Sequence, residues 1–221
     1  MSQPSAPDRE NRLAEPSRVE VFSDGVFAII ITLLVLEIHR PVAAPGKLAE
    51  EIFKAWPAYL SYALAFLYLG IIWLNHHGVF QYIRKVNMTV TCINLGGLGL
   101  AALIPFPTGV MADAFRSGNL ADEKAAVVLY ALVAGLMSAA WLPVFPYLGR
   151  HPELLKPDVK AETVAAQVSR PIVGVLSYAL AALTGWFIHP LCAIAFFVFM
   201  VAYHAVTSQG VRPAGRKRRI E

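Results

Sequence analysis

One apolar stretch, Arg18–Ile38, constrains the fold of this chain more than any other. It is 21 residues long, and between Val26 and Leu36 only Thr32 is polar. At about 1.5 Å of rise per residue, a helix of this length spans about 30 Å, the thickness of a bilayer's hydrocarbon core. Ionisable groups beside such a helix are costly and indicate a functional role. The ionisable residues here are Arg18, Glu20, Asp24 and Glu37.

The composition extends the membrane prediction to the whole chain. Of the 221 residues, 57% are apolar and only 15% are charged, whereas charged residues make up about 25% of soluble domains. The mean hydropathy is +0.54. We therefore predict an all-α, polytopic membrane protein with six transmembrane helices and no soluble domain. The predicted helices are approximately residues 18–38, 51–74, 87–105, 125–147, 171–188 and 190–207.

The basic residues predict how these helices cross the membrane. If six helices alternate, 14 of the 19 Lys and Arg residues fall on the side of the termini and 5 on the other. Cytoplasmic segments carry the excess of Lys and Arg, so both termini are predicted to be cytoplasmic. We expect a disordered lead-in over residues 1–17, a six-helix transmembrane domain over 18–207 and a basic tail over 208–221. The net charge is +4, and the basic residues are scattered along the chain. No nucleic-acid partner is therefore expected.

The first helix also carries a family motif. Arg18 is followed, after three residues, by Phe22-Ser23-Asp24-Gly25 and then by the apolar run with Thr32. This pattern resembles the lysosomal and prokaryotic potassium channels of the transmembrane protein 175 family. The tryptophan before two histidines, the asparagine in the third helix and a Pro-Phe closure of that helix also resemble the family. These residues are Trp73, His76, His77, Asn94, Pro105 and Phe106.

The resemblance implies a specific architecture. It implies a potassium-selective channel without a P-loop, formed by a homotetramer in which the first helices line a central pore. One chain supplies one candidate pore helix, so symmetry has to supply the other walls. The expected partners are further copies of the chain, the lipid bilayer and monovalent cations. The expected location is the plasma membrane, and potassium is expected as the permeant ion rather than as a bound cofactor.

A helical wheel separates two sets of residues on the first helix. At about 100° per residue, Ile29, Leu33 and Leu36 share one stripe with Thr32 at its edge. Asp24 lies about 140° from Ile29, so it faces neighbouring helices if the stripe faces a pore. A buried carboxylate needs hydrogen-bond donors, and the resemblance also implies a structural network around the pore helix. The predicted network consists of Arg18, Ser23, Asp24, Trp73, His76, His77 and Asn94.

The wheel alone leaves the role of the stripe open, because an Ile/Leu stripe is also typical of helix packing. The resemblance implies that Ile29 forms the narrow constriction and that Thr32, Leu33 and Leu36 lie along the pore. A ring of apolar side chains can gate by dewetting and penalises an ion that keeps its hydration shell. Glu37, near the outer end, is predicted to lie in the outer vestibule. Its alternative role is that of a solvated carboxylate at the membrane surface.

Several other functions are disfavoured by the sequence. No TVGYG-like filter and no HExxH, GxSxG or nucleotide-binding motif is present, so neither a carbonyl-lined filter nor an enzyme is predicted. His76 and His77 are adjacent and diverge on a helix, which disfavours a metal site. The main alternative to a channel is a proton-coupled secondary transporter that uses Asp24 and the histidines. The third possible function is that of a scaffold without transport activity.

Overall fold

The chain folds almost entirely into helices. The computed structural model describes residues 14–207, and within this range β-pairing is limited to two isolated bridges, Ala14 with Val86 and Ile83 with Leu155. The α-helices are α1 Pro16–Leu33, α2 Leu48–Lys54, α3 Trp56–Phe80, α4 Met88–Ala101, α5 Pro105–Ser117, α6 Leu120–Ala140, α7 Val144–Arg150, α8 Ala161–Ala165, α9 Ser169–Phe187 and α10 Pro190–Thr207.

Six helical segments in this range are long and apolar enough to cross a membrane, as predicted. Most of them combine a long helix with a short one or with a 3-10 turn; the first, for example, joins α1 to the 3-10 turn Leu34–Glu37. The predicted lead-in and basic tail lie mostly outside the described residues. The six segments are Pro16–Glu37, Trp56–Phe80, Met88–Ser117, Leu120–Arg150, Ala161–Phe187 and Pro190–Thr207.

The second predicted helix is divided and shifted. The chain turns at Ala55, which separates the short α2 from α3. Proline at the second position of α3 is tolerated, because the first N–H groups of a helix have no intrahelical acceptor. The prediction that this helix ends near residues 73–77 is wrong, because α3 continues to Phe80. His76 and His77 therefore lie inside a continuous helix.

The third predicted helix does not close at Pro105. A turn over residues 102–104 interrupts it, and Pro105 then occupies the first position of α5. Proline has a fixed φ that suits the start of a helix, so Pro105 begins a new segment rather than ending the span. Residues 112–117, which fall between the predicted third and fourth helices, belong to α5, and Gly118 with a φ of 68° caps its end.

The main core lies among α3, α6, α9 and α10, and α1 is attached at its edge. Helix α6 packs along α9, and α10 packs against both α9 and α3. Helix α1 contacts α3 and α4. It contributes Phe27 and Ile30 to the core, and the 3-10 turn that follows it contributes Leu34. A second buried cluster, formed mainly by the end of α3 and by α7 with the loop that follows it, includes Phe80, Phe145 and Leu154.

Candidate pore helix and its polar network

Helix α1 has one buried and one exposed face. Phe27 and Ile30 are almost fully buried, at 1% and 3% exposure, whereas the neighbouring Ile29 is 60% exposed. Leu33 is also exposed. The buried residues recur at the three-residue spacing expected of a helix that packs on one side. The helix therefore presents the predicted stripe outward from the protomer.

The stripe changes pitch at the end nearest Glu37. Leu36 belongs to the 3-10 turn Leu34–Glu37 rather than to α1. With about three residues per turn, residues three apart in such a turn eclipse one another, which places Leu36 in line with Leu33. The Thr32 hydroxyl donates to the carbonyl oxygen of Ile29 over 2.8 Å. The Thr32 hydroxyl proton is therefore used in a hydrogen bond to the helix backbone. The lone pairs of the hydroxyl oxygen remain available to a ligand.

A chain of hydrogen bonds joins α3, α4 and α1. His76 Nε2 lies 2.8 Å from Asn94 Oδ1, and Asn94 Nδ2 donates to Ser23 Oγ over 3.0 Å. Ser23 in turn donates to the carbonyl oxygen of Val19 over 2.8 Å. The side-chain nitrogen of Asn94 donates to Ser23, so the side-chain oxygen of Asn94 faces His76. An amide oxygen can only accept, so His76 Nε2 carries the proton and donates it.

Two further polar pairs join α1 directly to α3. Trp73 Nε1 donates to Asp24 Oδ1 over 2.8 Å. One helical turn away, His77 Nδ1 lies 2.9 Å from Glu20 Oε1. Glu20 and Asp24 are four residues apart, so both pairs link the same face of α1 to α3.

The structure thus places most of the predicted network residues at one interface, but in separate groups. Asp24 pairs with Trp73 and not with the histidines. Arg18 is exposed on the protomer and lines an open groove beside Phe22 and Leu95. Glu20 is the partner that the sequence reasoning missed. Its position four residues before Asp24 on the same helix was the available signal.

Aromatic rings orient the buried His76. This residue is 1% exposed, and its ring stacks on Phe80 at a centroid distance of 4.5 Å. Phe27 and Trp141 approach edge-on at 5.5 and 5.8 Å. The three rings hold the imidazole in the orientation that directs Nε2 at Asn94.

Glu37 is turned toward its own protomer. It is half-buried, and its carboxylate packs so closely against Gly109 of α5 that a Cβ at Gly109 would collide with Glu37 Oε2. His39 and Asp113 lie nearby on the same surface, 3.8 Å apart. The predicted vestibule role of Glu37 stays a prediction. Within residues 14–207, no group of three His, Cys, Asp or Glu side chains is arranged to hold a metal ion.

Comparison with known proteins identifies the family. Residues 18–105 match the family model described as endosomal/lysosomal potassium channel TMEM175. A protein from Streptomyces collinus named as a potassium channel is 41% identical over 167 residues, covering 75% of this chain and 80% of that protein. The chain belongs to the TMEM175 family. This is a family of ion channels and not of enzymes.

A solved TMEM175 structure has the same architecture. The crystal structure of a lysosomal potassium-selective channel TMEM175 homologue from Chamaesiphon minutus matches with a TM-score of 0.76 and 26% identity. The match covers 87% of this chain and 97% of that one. A chicken relative, named as an endosomal/lysosomal proton channel, is 38% identical over 107 residues, which cover 21% of its length. This chain therefore matches only a part of the chicken protein.

Proposed function

We propose that this protein is a potassium-selective channel whose central pore is formed by the α1 helices of a homotetramer. The observation that carries the proposal is the exposed apolar stripe of α1, which lies opposite its buried face. Four copies arranged about an axis would bring the four stripes together, and each protomer would place its core outside them. The stripe consists of Ile29, Thr32, Leu33 and Leu36.

In this pore, Ile29 forms the constriction. Its branched apolar side chain, repeated four times, leaves little room for a hydrated ion and offers no ligand to replace the lost water. Such a ring penalises ions according to their cost of dehydration. Potassium gives up water more readily than sodium, so the ring favours potassium. The Thr32 hydroxyl oxygens, one turn farther along, assist by providing lone pairs to the partly dehydrated ion.

The polar network sets the width of the constriction indirectly. Ser23, Asp24 and Glu20 each tie α1 to a neighbouring helix by a contact of 2.8–3.0 Å. A rotation of α1 by one residue, about 100°, would replace Ile29 at the axis with Ile30. The contacts of Ser23, Asp24 and Glu20 oppose this rotation, and none of these three residues lies on the stripe that lines the pore. Arg18 contributes from the groove that it lines, where it faces the neighbouring protomer.

The excess of Lys and Arg on the side of the termini supports the proposed orientation in the membrane. The chain is a multi-pass protein of the plasma membrane with both termini in the cytoplasm, so that the Arg18 end of α1 opens to the cytoplasm and Glu37 lies at the outer mouth. The mechanism requires no resident cofactor, because potassium is the permeant ion and moves down its own gradient.

The alternative function is a proton-coupled secondary transporter. It is favoured by the group of titratable side chains between α1 and α3, namely Glu20, Asp24, His76 and His77. Transporters usually bind substrate at broken helices near mid-membrane. Here these groups gather toward one end of α1, and its middle is apolar, which favours a channel.

Recordings from purified protein in planar bilayers test the proposal. With potassium on one side and sodium on the other, a potassium-selective channel gives an ohmic current whose reversal potential lies toward the potassium equilibrium potential. Slow uptake that saturates with ion concentration and depends on a proton gradient would support the transporter. Absence of either flux would support a scaffold.

A further inference from the structure

An open pocket lies where α9 begins and α10 ends, away from the candidate pore helix. Its apolar wall includes Ile72, Val79 and Phe145, and its polar side chains include Asn75, Arg170 and His204. Of the described residues that line it, none is acidic. The pocket therefore combines an apolar wall with basic and amide groups, which suits an amphipathic anion.

His204 is an unusual component of the pocket wall. It is 7% exposed, and its Nε2 atom has no hydrogen-bond partner among the described residues. A buried polar atom normally has a partner, because its desolvation is otherwise uncompensated. An imidazole Nε2–H beside an open pocket can donate to an oxygen of a bound ligand.

Arg170 supplies the charge. It lies in the first turn of α9 and lines the same pocket as His204. A guanidinium has five N–H donors in a fixed fork. It can therefore keep a contact within the protein and still hold a phosphate, which Arg binds with particularly favourable geometry.

We propose that this pocket binds the phosphate of an anionic lipid, with Arg170 and His204 as the donors and the apolar wall against the lipid's glycerol and upper acyl region. Arg170 lies in the first turn of α9, the long helix of the fifth span, and His204 and Thr207 lie in the last turn of α10, the sixth. This places the donors at headgroup level on the side of the membrane that carries most of the basic residues. Anionic lipids concentrate beside such surfaces. A soluble phosphate would leave the apolar wall unused.

Lipid binding to the purified full-length protein tests the site without measuring current, so its outcome is independent of the proposed channel function. The protein in neutral detergent is titrated with phosphatidylglycerol, phosphatidylcholine or inorganic phosphate. Native mass spectrometry counts bound lipid, and the melting temperature reports stabilisation. We expect binding of phosphatidylglycerol in preference to phosphatidylcholine. Loss of charge-assisted hydrogen bonds in Arg170→Gln should weaken it about tenfold or more.

Two further variants make the test specific. Arg150→Gln removes an exposed arginine from the end of α7, outside the pocket lining, and should keep wild-type binding. Thr207→Phe narrows the pocket without changing its charge and should reduce binding, which tests the site even if Arg170→Gln fails to fold. Equal binding of the two lipids, equal stabilisation by inorganic phosphate, or equal losses in Arg150→Gln and Arg170→Gln would overturn the proposal.

Discussion

Asp24 and Trp73 form a direct side-chain contact between the first helix and α3. The indole N–H donates to a carboxylate that is half-buried between α1 and α3. A Trp side chain has only one hydrogen-bond donor, and Trp73 donates it to Asp24. The pair therefore acts as a point of attachment, and neither member lies on the exposed stripe.

Asp24→Ala should impair assembly and stability more than ion selectivity. It leaves the Trp73 donor without its acceptor, a loss of about 0.5–2 kcal/mol for a hydrogen bond between membrane helices. The melting temperature and the tetramer fraction in size-exclusion chromatography with light scattering measure this effect. Trp73→Phe and the double variant complete a cycle, in which the two losses should not add. If the Asp24→Ala protein assembles normally and only its ion selectivity changes, this prediction is contradicted and Asp24 lines the pore.

Glu37 provides a second prediction at the residue scale. Four carboxylates at the outer mouth would raise the local concentration of cations. Glu37→Gln should therefore lower the single-channel conductance at about 0.01 M salt and have little effect near 1 M, where the Debye length is about 3 Å. Equal loss at both salt concentrations would instead support a packing role against Gly109, where the carboxylate lies in the protomer.

At the scale of helices, α4 has an exposed face of small residues beside α1. Gly96 and Gly99 lie on this face with Cys92 and Leu95, all exposed in the protomer. A Cβ added at Gly96 meets no atom within 4 Å. Small residues allow membrane helices to approach closely, so this face is suited to a neighbouring protomer.

Gly96→Leu should disrupt the tetramer while leaving the protomer folded. Leucine has a higher helix propensity than glycine and has room within the protomer, so any loss has to arise between protomers. Light scattering coupled to size-exclusion chromatography measures the assembly, and circular dichroism measures the helix content. Ala202→Leu, at an exposed position of α10, is the matched control and should remain tetrameric. A tetrameric Gly96→Leu protein would exclude this face from the interface.

The helices themselves were largely predictable from apolar run length and charge, but their ends were not. Pro105 and Pro107 suggested the end of a helix, whereas Pro105 begins α5, because proline fits the first turn as well as it terminates a preceding one. The polar residues after Trp73 suggested that the second helix ends there, but His76 and His77 lie within α3. They remain in α3 because α1 and α4 provide partners for them.

The candidate site shows the same limit. The stripe of Ile29 and Leu33 follows from the helical repeat, which depends on sequence alone. The pairing of Asp24 with Trp73, and of Glu20 with His77, depends on how α3 is rotated against α1. That rotation depends on how helices far apart in the sequence pack against each other. The relative rotation of two packed helices cannot be predicted from one sequence alone.

At the scale of the whole molecule, the protomer is a scaffold that carries one incompletely packed helix. The core lies mainly among α3, α6, α9 and α10, and α1 packs against it through one face. A single protomer leaves the opposite, apolar face without a partner in the described part of the chain. In the proposed tetramer, that face forms the wall of the pore, and Ile29 is the residue nearest the axis.

Reversal potentials of Ile29→Asn measure this central claim directly, with Ile30→Asn as the control about 100° away on the same helix. Both proteins are recorded in planar bilayers with potassium and sodium on opposite sides. Asparagine at position 29 widens and wets the constriction, so the conductance should rise and the reversal potential should move toward zero. Ile30 is 3% exposed, so Ile30→Asn should damage folding without that gain. An assembled Ile29→Asn channel with wild-type conductance and reversal potential would contradict the account.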